Sequence, residues 1–195
     1  MNPFDALPPD TELLDRLAAR VATGAGTELD IAYRTIDSPV GTLLLAATPE
    51  GLLRVAYAGE DFDAVLTTLA HRVSPRIMSE PHRLDDAAYA LDAYFAGATS
   101  GFDLPLDRSL SRGFRKVVQE HLSTIEYGST QSYSQVAQQV GNPRAVRAVG
   151  TACSTNPLPI VVPCHRVLRA DGSMGAYLGG VKAKQELLDL EASHR

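Results

Sequence analysis

Asn156-Pro157-Leu158-Pro159-Ile160-Val161-Val162-Pro163-Cys164-His165-Arg166-Val167 is the most informative stretch of this 195-residue chain. Its three prolines hold φ near the proline value and push the residues before them toward extended backbone, so the path is rigid and irregular. An apolar Ile-Val-Val run leads into Pro163, after which Cys164 and His165 stand side by side. Such a cysteine has two readings. One is a small buried hydrophobe at a strand end. The other is a nucleophile whose thiolate is stabilised by a basic imidazole nearby. Adjacent side chains rarely touch, so the second reading needs a water or a sharp turn between thiol and ring.

Upstream of this stretch the pattern is helical. Phe114, Val117, Val118 and Leu122 recur at helical spacing over 114–125. Short helices are expected over 132–140 and 144–152, joined by Gly141-Asn142-Pro143. Helix, glycine turn and helix with proline near its start make a helix-turn-helix pattern, which generic helical hairpins share. The first half reads differently. Strand-like runs at 31–36, 42–47 and 52–58 are separated by Asp37-Ser38-Pro39 and Pro49-Glu50-Gly51, which predicts an antiparallel meander. Two helices follow, one with Phe62, Val65, Leu66 and Leu69 on a single face and one over 87–95 that stops at Gly97. The expected fold class is mixed α/β (α+β) with two domains: an antiparallel sheet with helices, then a mostly helical domain with a helix-turn-helix. The boundary is expected near 104–113, giving an extension at 1–30, one domain at 31–107 and another at 108–195. Within the extension, Leu13, Leu14, Leu17 and Val21 predict a short helix that ends at Gly24-Ala25-Gly26.

Composition narrows the function classes. At 45% hydrophobic and 21% charged residues the chain can bury a real core. Its aliphatic runs are about a quarter of the roughly 20 residues that span a bilayer, and the N-terminus lacks the basic and apolar regions of a signal peptide. No membrane association is expected. Two cysteines cannot build a disulfide framework, so a reducing, cytoplasmic setting is expected. His71, His82, His121 and His194 show no metal-ligand spacing, and neither a metal nor a cofactor is expected. The net charge of −5 hides an asymmetry: residues 1–107 carry −10 and residues 108–195 carry +5. The basic half, which holds the helix-turn-helix pattern, suits a polyanion.

Pro163-Cys164-His165-Arg166-Val167 resembles the active-site motif of the O6-alkylguanine-DNA alkyltransferases. The resemblance extends upstream through Tyr127-Gly128, Ser132-Tyr133, Gly141-Asn142-Pro143, Arg147-Ala148-Val149-Gly150 and Asn156-Pro157. Downstream it takes in Gly172, Gly175, Tyr177, Gly179-Gly180, Lys184, Leu187-Leu188 and Glu191. It is strong from about residue 114 to 191 and faint before. It implies that Cys164 accepts the alkyl group, that His165 takes the thiol proton through a water, and that Glu191 orients His165 in a variant of triad logic. Asn156 would hold the turn carrying Cys164, and Tyr133 would face the flipped base and help guanine depart. Arg147 would enter the duplex in place of that base. Beside it Arg144, Ala145, Ala148 and Gly150 would contact DNA, the small residues allowing a helix into a minor groove about 6 Å wide. Val167, Tyr177 and Leu178 would line the substrate pocket.

The resemblance further implies an N-terminal domain of ribonuclease-H-like form with a structural role. The partner would be double-stranded DNA carrying O6-alkylguanine, with O4-alkylthymine as a second candidate lesion, bound by a monomer from the minor groove. An alkyl group on O6 is buried in the base stack, so the nucleotide must be extruded before sulfur attacks. The resulting thioether is not hydrolysed, so each molecule would act once. Leu178 departs from the family's usual Ser or Gly and puts the range of accepted alkyl groups in question. Three other functions compete. A lesion-binding module without transfer is disfavoured by the presence of Cys164. A transcriptional regulator would need a polar recognition helix, whereas 144–152 is mostly small and apolar. A Cys-His hydrolase would need an oxyanion hole that the motif does not offer.

Overall fold

The computed structural model describes residues 29–194, and the helix predicted around Leu13–Val21 lies outside the described residues. In the first half, β1 (Ile31–Ile36), β2 (Leu43–Thr48) and β3 (Gly51–Tyr57) form the predicted antiparallel meander, each within a residue of expectation. A fourth strand, β4 (Ile77–Ser79), adds a parallel edge beside β1 and gives the order β3-β2-β1-β4. Three residues are too few to show alternation, so this strand has no signature of its own in the sequence.

Central position explains the composition of β2, which is buried along its whole length because both faces are covered. On one face Ala46, Leu53 and Ile31 meet Leu69 of α1 (Phe62–Arg72), whose first turn is capped by the Asp61 carboxylate. On the other, Leu43, Leu45, Val55 and Tyr57 join the main core, together with Ala87, Ala88, Leu91 and Tyr94 of α2 (Asp85–Phe95).

The second half is helical: α3 (Gly113–Leu122), α4 (Tyr133–Gln139), α5 (Val146–Ser154) and α6 (Gly180–Ser193), with a short parallel pair, β5 (Gln131–Ser132) and β6 (Val167–Leu168). α4 begins in a capping box, in which Ser132 Oγ accepts from Gln135 N and Gln135 Oε1 accepts from Ser132 N. α5 starts two residues later than the expected 144–152. Asn142–Ala145 is a tight turn closed by Ala145 N onto Asn142 O, and Ala145, at ψ 25°, is the N-cap whose carbonyl accepts the first helical bond from Val149 N, so Arg144 and Ala145 precede the helix.

One continuous apolar core runs through both halves. The seam is also polar. Val55 N donates to Pro157 O at 2.9 Å, and the Arg54 guanidinium, paired with Glu60, bonds Pro157 O at 3.1 Å. The irregular stretch 156–163 is thereby anchored on the sheet.

Candidate active site

Residues 156–163 form no strand; they are a series of tight turns held by one side chain. Asn156 Oδ1 accepts from Leu158 N at 3.0 Å, and its Nδ2 donates to Val162 O at 2.8 Å. Between these anchors Ile160 is buried at φ +74°, a conformation that a β-branched residue rarely adopts and that costs on the order of 1–3 kcal/mol. The strained turn ends at Pro163 and passes into a buried 3₁₀ turn, Cys164–Arg166, that holds the thiol beside the imidazole.

Asn156 Nδ2 also donates to Cys164 Sγ at 3.2 Å. Burial pushes the Cys164 thiol up to about 11, against the pull of that amide and of the Lys184 ammonium. The resting group is therefore a thiol, and an attacking thiolate requires a base. His165 is fully buried, and burial holds its imidazole below the usual histidine range despite the neighbouring carboxylate. Its Nε2 lies 2.8 Å from Glu191 Oε1. Burial would raise the Glu191 carboxyl, but bonds from His165, Arg166 and Tyr94 outweigh it and draw it down to about 2. An ionised acceptor requires the ring proton on Nε2, which leaves Nδ1 as the free lone pair. Nδ1 is buried and has no hydrogen-bond partner among the described residues.

Glu191 is the hub of this cluster. Besides His165 it accepts from Arg166 Nε at 3.0 and 3.1 Å, from Arg166 Nη2 at 2.9 Å, from Gly128 N at 3.0 Å and from Tyr94 Oη at 2.6 Å. Arg166 additionally bonds the Ile125 carbonyl, and its guanidinium lies 5.7 Å from the Tyr127 ring centroid. A buried carboxylate with this many donors is stable only because every one is supplied.

Around Cys164, the half-buried Tyr133 opens α4 and rests its ring against Gly175, where a Cβ would stand 2.3 Å from the hydroxyl. Tyr177 hydrogen-bonds Tyr57 of β3 at 3.0 Å and presents its ring edge to His165 at 6.4 Å. Gly179 lets the chain pass Tyr57 at a distance no side chain would permit. Leu178 is half-buried and packs on the core. Val167 is buried, and its carbonyl accepts from Lys184 Nζ at 2.5 Å. Away from this cluster, Arg147 and Ala148 are exposed on the first turn of α5, with the half-buried Gly150 just beyond. Arg147 makes no side-chain bond among the described residues.

The fold thus brings Cys164, His165, Asn156 and Glu191 together as two bonded pairs, Asn156–Cys164 and His165–Glu191, on consecutive residues, places Tyr133, Tyr177 and Val167 beside them, and sets Arg147 apart on an open helix face. Three contributors escaped the sequence reading: Arg166 and Lys184, present only as letters in the motif, and Tyr94. A basic side chain in the apolar stretch 158–167, otherwise wholly buried, is a signal for Arg166, whereas Lys184 lies on a helix with exposed neighbours and has no such signal. Tyr94 has none, because it lies 97 residues from the carboxylate it bonds.

Comparison with known proteins places the chain. Residues 31–108 match the model of the 6-O-methylguanine DNA methyltransferase ribonuclease-like domain, and residues 113–193 that of the same family's DNA-binding domain. A methylated-DNA–protein-cysteine methyltransferase of Mycolicibacterium paratuberculosis is 42% identical over 164 residues, covering 84% of this chain and 94% of the relative. The constitutive one of Bacillus subtilis is 35% identical over 163 residues, covering 82% and 94%. The crystal structure of Mycobacterium tuberculosis O6-methylguanine methyltransferase is 40% identical with a TM-score of 0.74, over 85% of this chain and 94% of that one. The OGT of the same organism in complex with DNA matches with 40% identity and a TM-score of 0.73, over 84% and 94%. With a ribonuclease-like sheet domain followed by a DNA-binding helical domain that carries the buried thiol, the chain belongs to the 6-O-methylguanine DNA methyltransferase family.

Proposed function

We propose that Cys164 accepts the alkyl group of O6-alkylguanine in double-stranded DNA, and that His165, Glu191, Asn156 and Tyr133 serve that transfer. The family's activity is DNA repair by alkyl transfer to cysteine, and the chain is a transferase of this kind. The observation that carries the assignment to these residues is the unpaired, buried Nδ1 of His165. Its partner nitrogen is committed to Glu191, and the neighbouring residue is a hydrogen-bonded, buried thiol.

The steps follow from the charges. The Cys164 proton passes through a water to Nδ1, and the imidazolium is stabilised by Glu191, which is already ionised. Sulfur attacks the alkyl carbon as the carbon–O6 bond breaks, the departing guanine anion takes the Tyr133 hydroxyl proton, and the proton held by His165 returns through water to restore the phenol and the neutral imidazole. The product is a thioether, so one molecule repairs one lesion. At 2% exposure Cys164 reaches only a base brought into its pocket, which supports extrusion of the nucleotide. Arg147, exposed and unpaired beside the small residues Ala145, Ala148 and Gly150, suits entry from the minor groove, with Arg144 beside it on the backbone. Val167, Tyr177 and Leu178 line the pocket in this reading. Two free cysteines suit the reducing cytoplasm, and no helix among the described residues is long and apolar enough to cross a membrane.

The test is intact mass and peptide mapping after incubation with an O6-methylguanine duplex. One methyl on Cys164, retained by Cys153→Ala and lost by Cys164→Ser, is expected. An unchanged mass would favour a lesion-binding module, and a methyl on Cys153 would overturn the assignment.

A further inference from the structure

We propose that Tyr94, supplied by the sheet-bearing half, is a positioning residue for alkyl transfer: its hydroxyl holds the Glu191 carboxylate against His165 and sets how strongly that ring takes the thiol proton. The inference rests on the roles given above to Cys164 and His165, and it gives the first domain a part in the chemistry where the resemblance implied a structural one.

Three observations carry it. Tyr94 is fully buried near the end of α2, and its hydroxyl donates to Glu191 Oε1 at 2.6 Å, a length typical of a charge-assisted bond. The same hydroxyl lies 3.5 Å from His165 Nε2, so phenol and imidazole converge on one carboxylate oxygen. The ring is fixed independently of the hydroxyl, by Phe95, Phe102 and Tyr127 at centroid distances of 5.6, 5.0 and 6.0 Å. Packing therefore needs only the ring, and a phenylalanine would satisfy it. The hydroxyl is there for the oxygen that His165 uses.

Its physical effect has a definite sign. A donor on Oε1 draws charge from that atom and weakens its hold on the imidazole proton. The other groups facing the pair are Arg166 from the 3₁₀ turn, Lys184 from α6, Tyr127 and the Gly128 N–H from the segment after α3, Tyr177 and Cys164. With His165 and Glu191 shielded from water, loss of one donor is not masked by solvent. Without the hydroxyl the carboxylate becomes more basic and the resting imidazole protonates at higher pH. It then ceases to be a base under conditions in which the native protein still reacts.

The experiment uses the full chain and single-turnover methyl transfer from a saturating O6-methylguanine duplex, followed as a function of pH with the product mapped by mass. Tyr94→Phe should move the acid limb of the rate profile up by about half a unit or more. Its plateau should fall roughly tenfold, as for other groups that orient an active imidazole. Site-specific 3-fluorotyrosine at position 94, a stronger donor, should move the limb down. Phe102→Leu, which loosens the ring without touching the carboxylate, should lower Tm and leave the limb in place. An acid limb that superimposes on the native one in Tyr94→Phe, with Cys164 still methylated, would overturn the proposal. If Tyr94→Phe does not fold, an unmoved limb in the fluorotyrosine protein overturns it. Methyl found away from Cys164 in the native protein is a different failure, that of the underlying assignment.

Discussion

Asn156 Nδ2 lies 3.2 Å from Cys164 Sγ while donating to Val162 O at 2.8 Å, so one nitrogen both closes the strained turn and touches the thiol that the turn presents. Fold and reactivity are coupled at that atom. The positive φ of Ile160 is tolerated because the Asn156 amide bonds both ends of the loop.

Asn156→Ala should therefore damage both properties. It strips Leu158 N and Val162 O of their partners, and unsatisfied buried groups cost about 1–3 kcal/mol each. A net loss of about 3 kcal/mol corresponds to a Tm lower by roughly 6–12 °C in a chain of this size. The thiol, already pushed up to about 11, should rise further. Thermal unfolding and the pH dependence of thiol modification measure the two effects separately. A stable variant with an unchanged thiol would contradict both.

Acid should unfold the protein through the Glu191 cluster. Its folded pKa lies near 2, below the ordinary value of 4.5, so its contribution to stability is fully present above 4.5 and is lost as pH falls toward 2. His165, held below the ordinary 6.5, adds in the same direction, because the unfolded ring takes up its proton first. Stability measured by urea unfolding should thus decline on acidification from about pH 6.5 and steepen below 4.5. Glu191→Gln should lose much of the lower limb. It should also be less stable at neutral pH by about 3–5 kcal/mol, since Arg166 is left buried without its counter-charge.

Arg147 and Tyr133 should separate extrusion from chemistry. If Arg147 fills the vacated stack, Arg147→Ala should react nearly normally with a free O6-alkylguanine base. On a duplex lesion it should lose one to three orders of magnitude, since unstacking costs a few kcal/mol and each 1.36 kcal/mol is about tenfold. Tyr133→Phe should slow both substrates if its hydroxyl, which rests against Gly175, has the role proposed for it at the departing guanine. Equal losses for Arg147→Ala on base and duplex would mark it as a residue supporting the fold.

Much of this site was legible before any coordinates. Cys164 and His165 are consecutive, and three prolines announce a rigid turn, so the thiol, its neighbouring base and the loop that bears them follow from local order alone, while the thiol's role came only from the family resemblance. The meander was equally plain, since alternation and short turns act over a few residues. Local order failed where an element was too short, as with β4, or where a tight turn ran into the start of a helix, as at Asn142–Ala145.

What the sequence by itself determined was the inventory and its local geometry: a thiol, a base, a rigid loop, a basic helical half. Only the tertiary structure decided the electrical state of those groups. Cys164 remains a thiol because burial outweighs Asn156 and Lys184, and Glu191 is ionised because donors from three separate segments converge on it. One of those donors, Tyr94, is remote in the chain and adjacent in space. Charge in a protein interior depends on which groups share a site from which water is excluded, and no spacing along the chain encodes that.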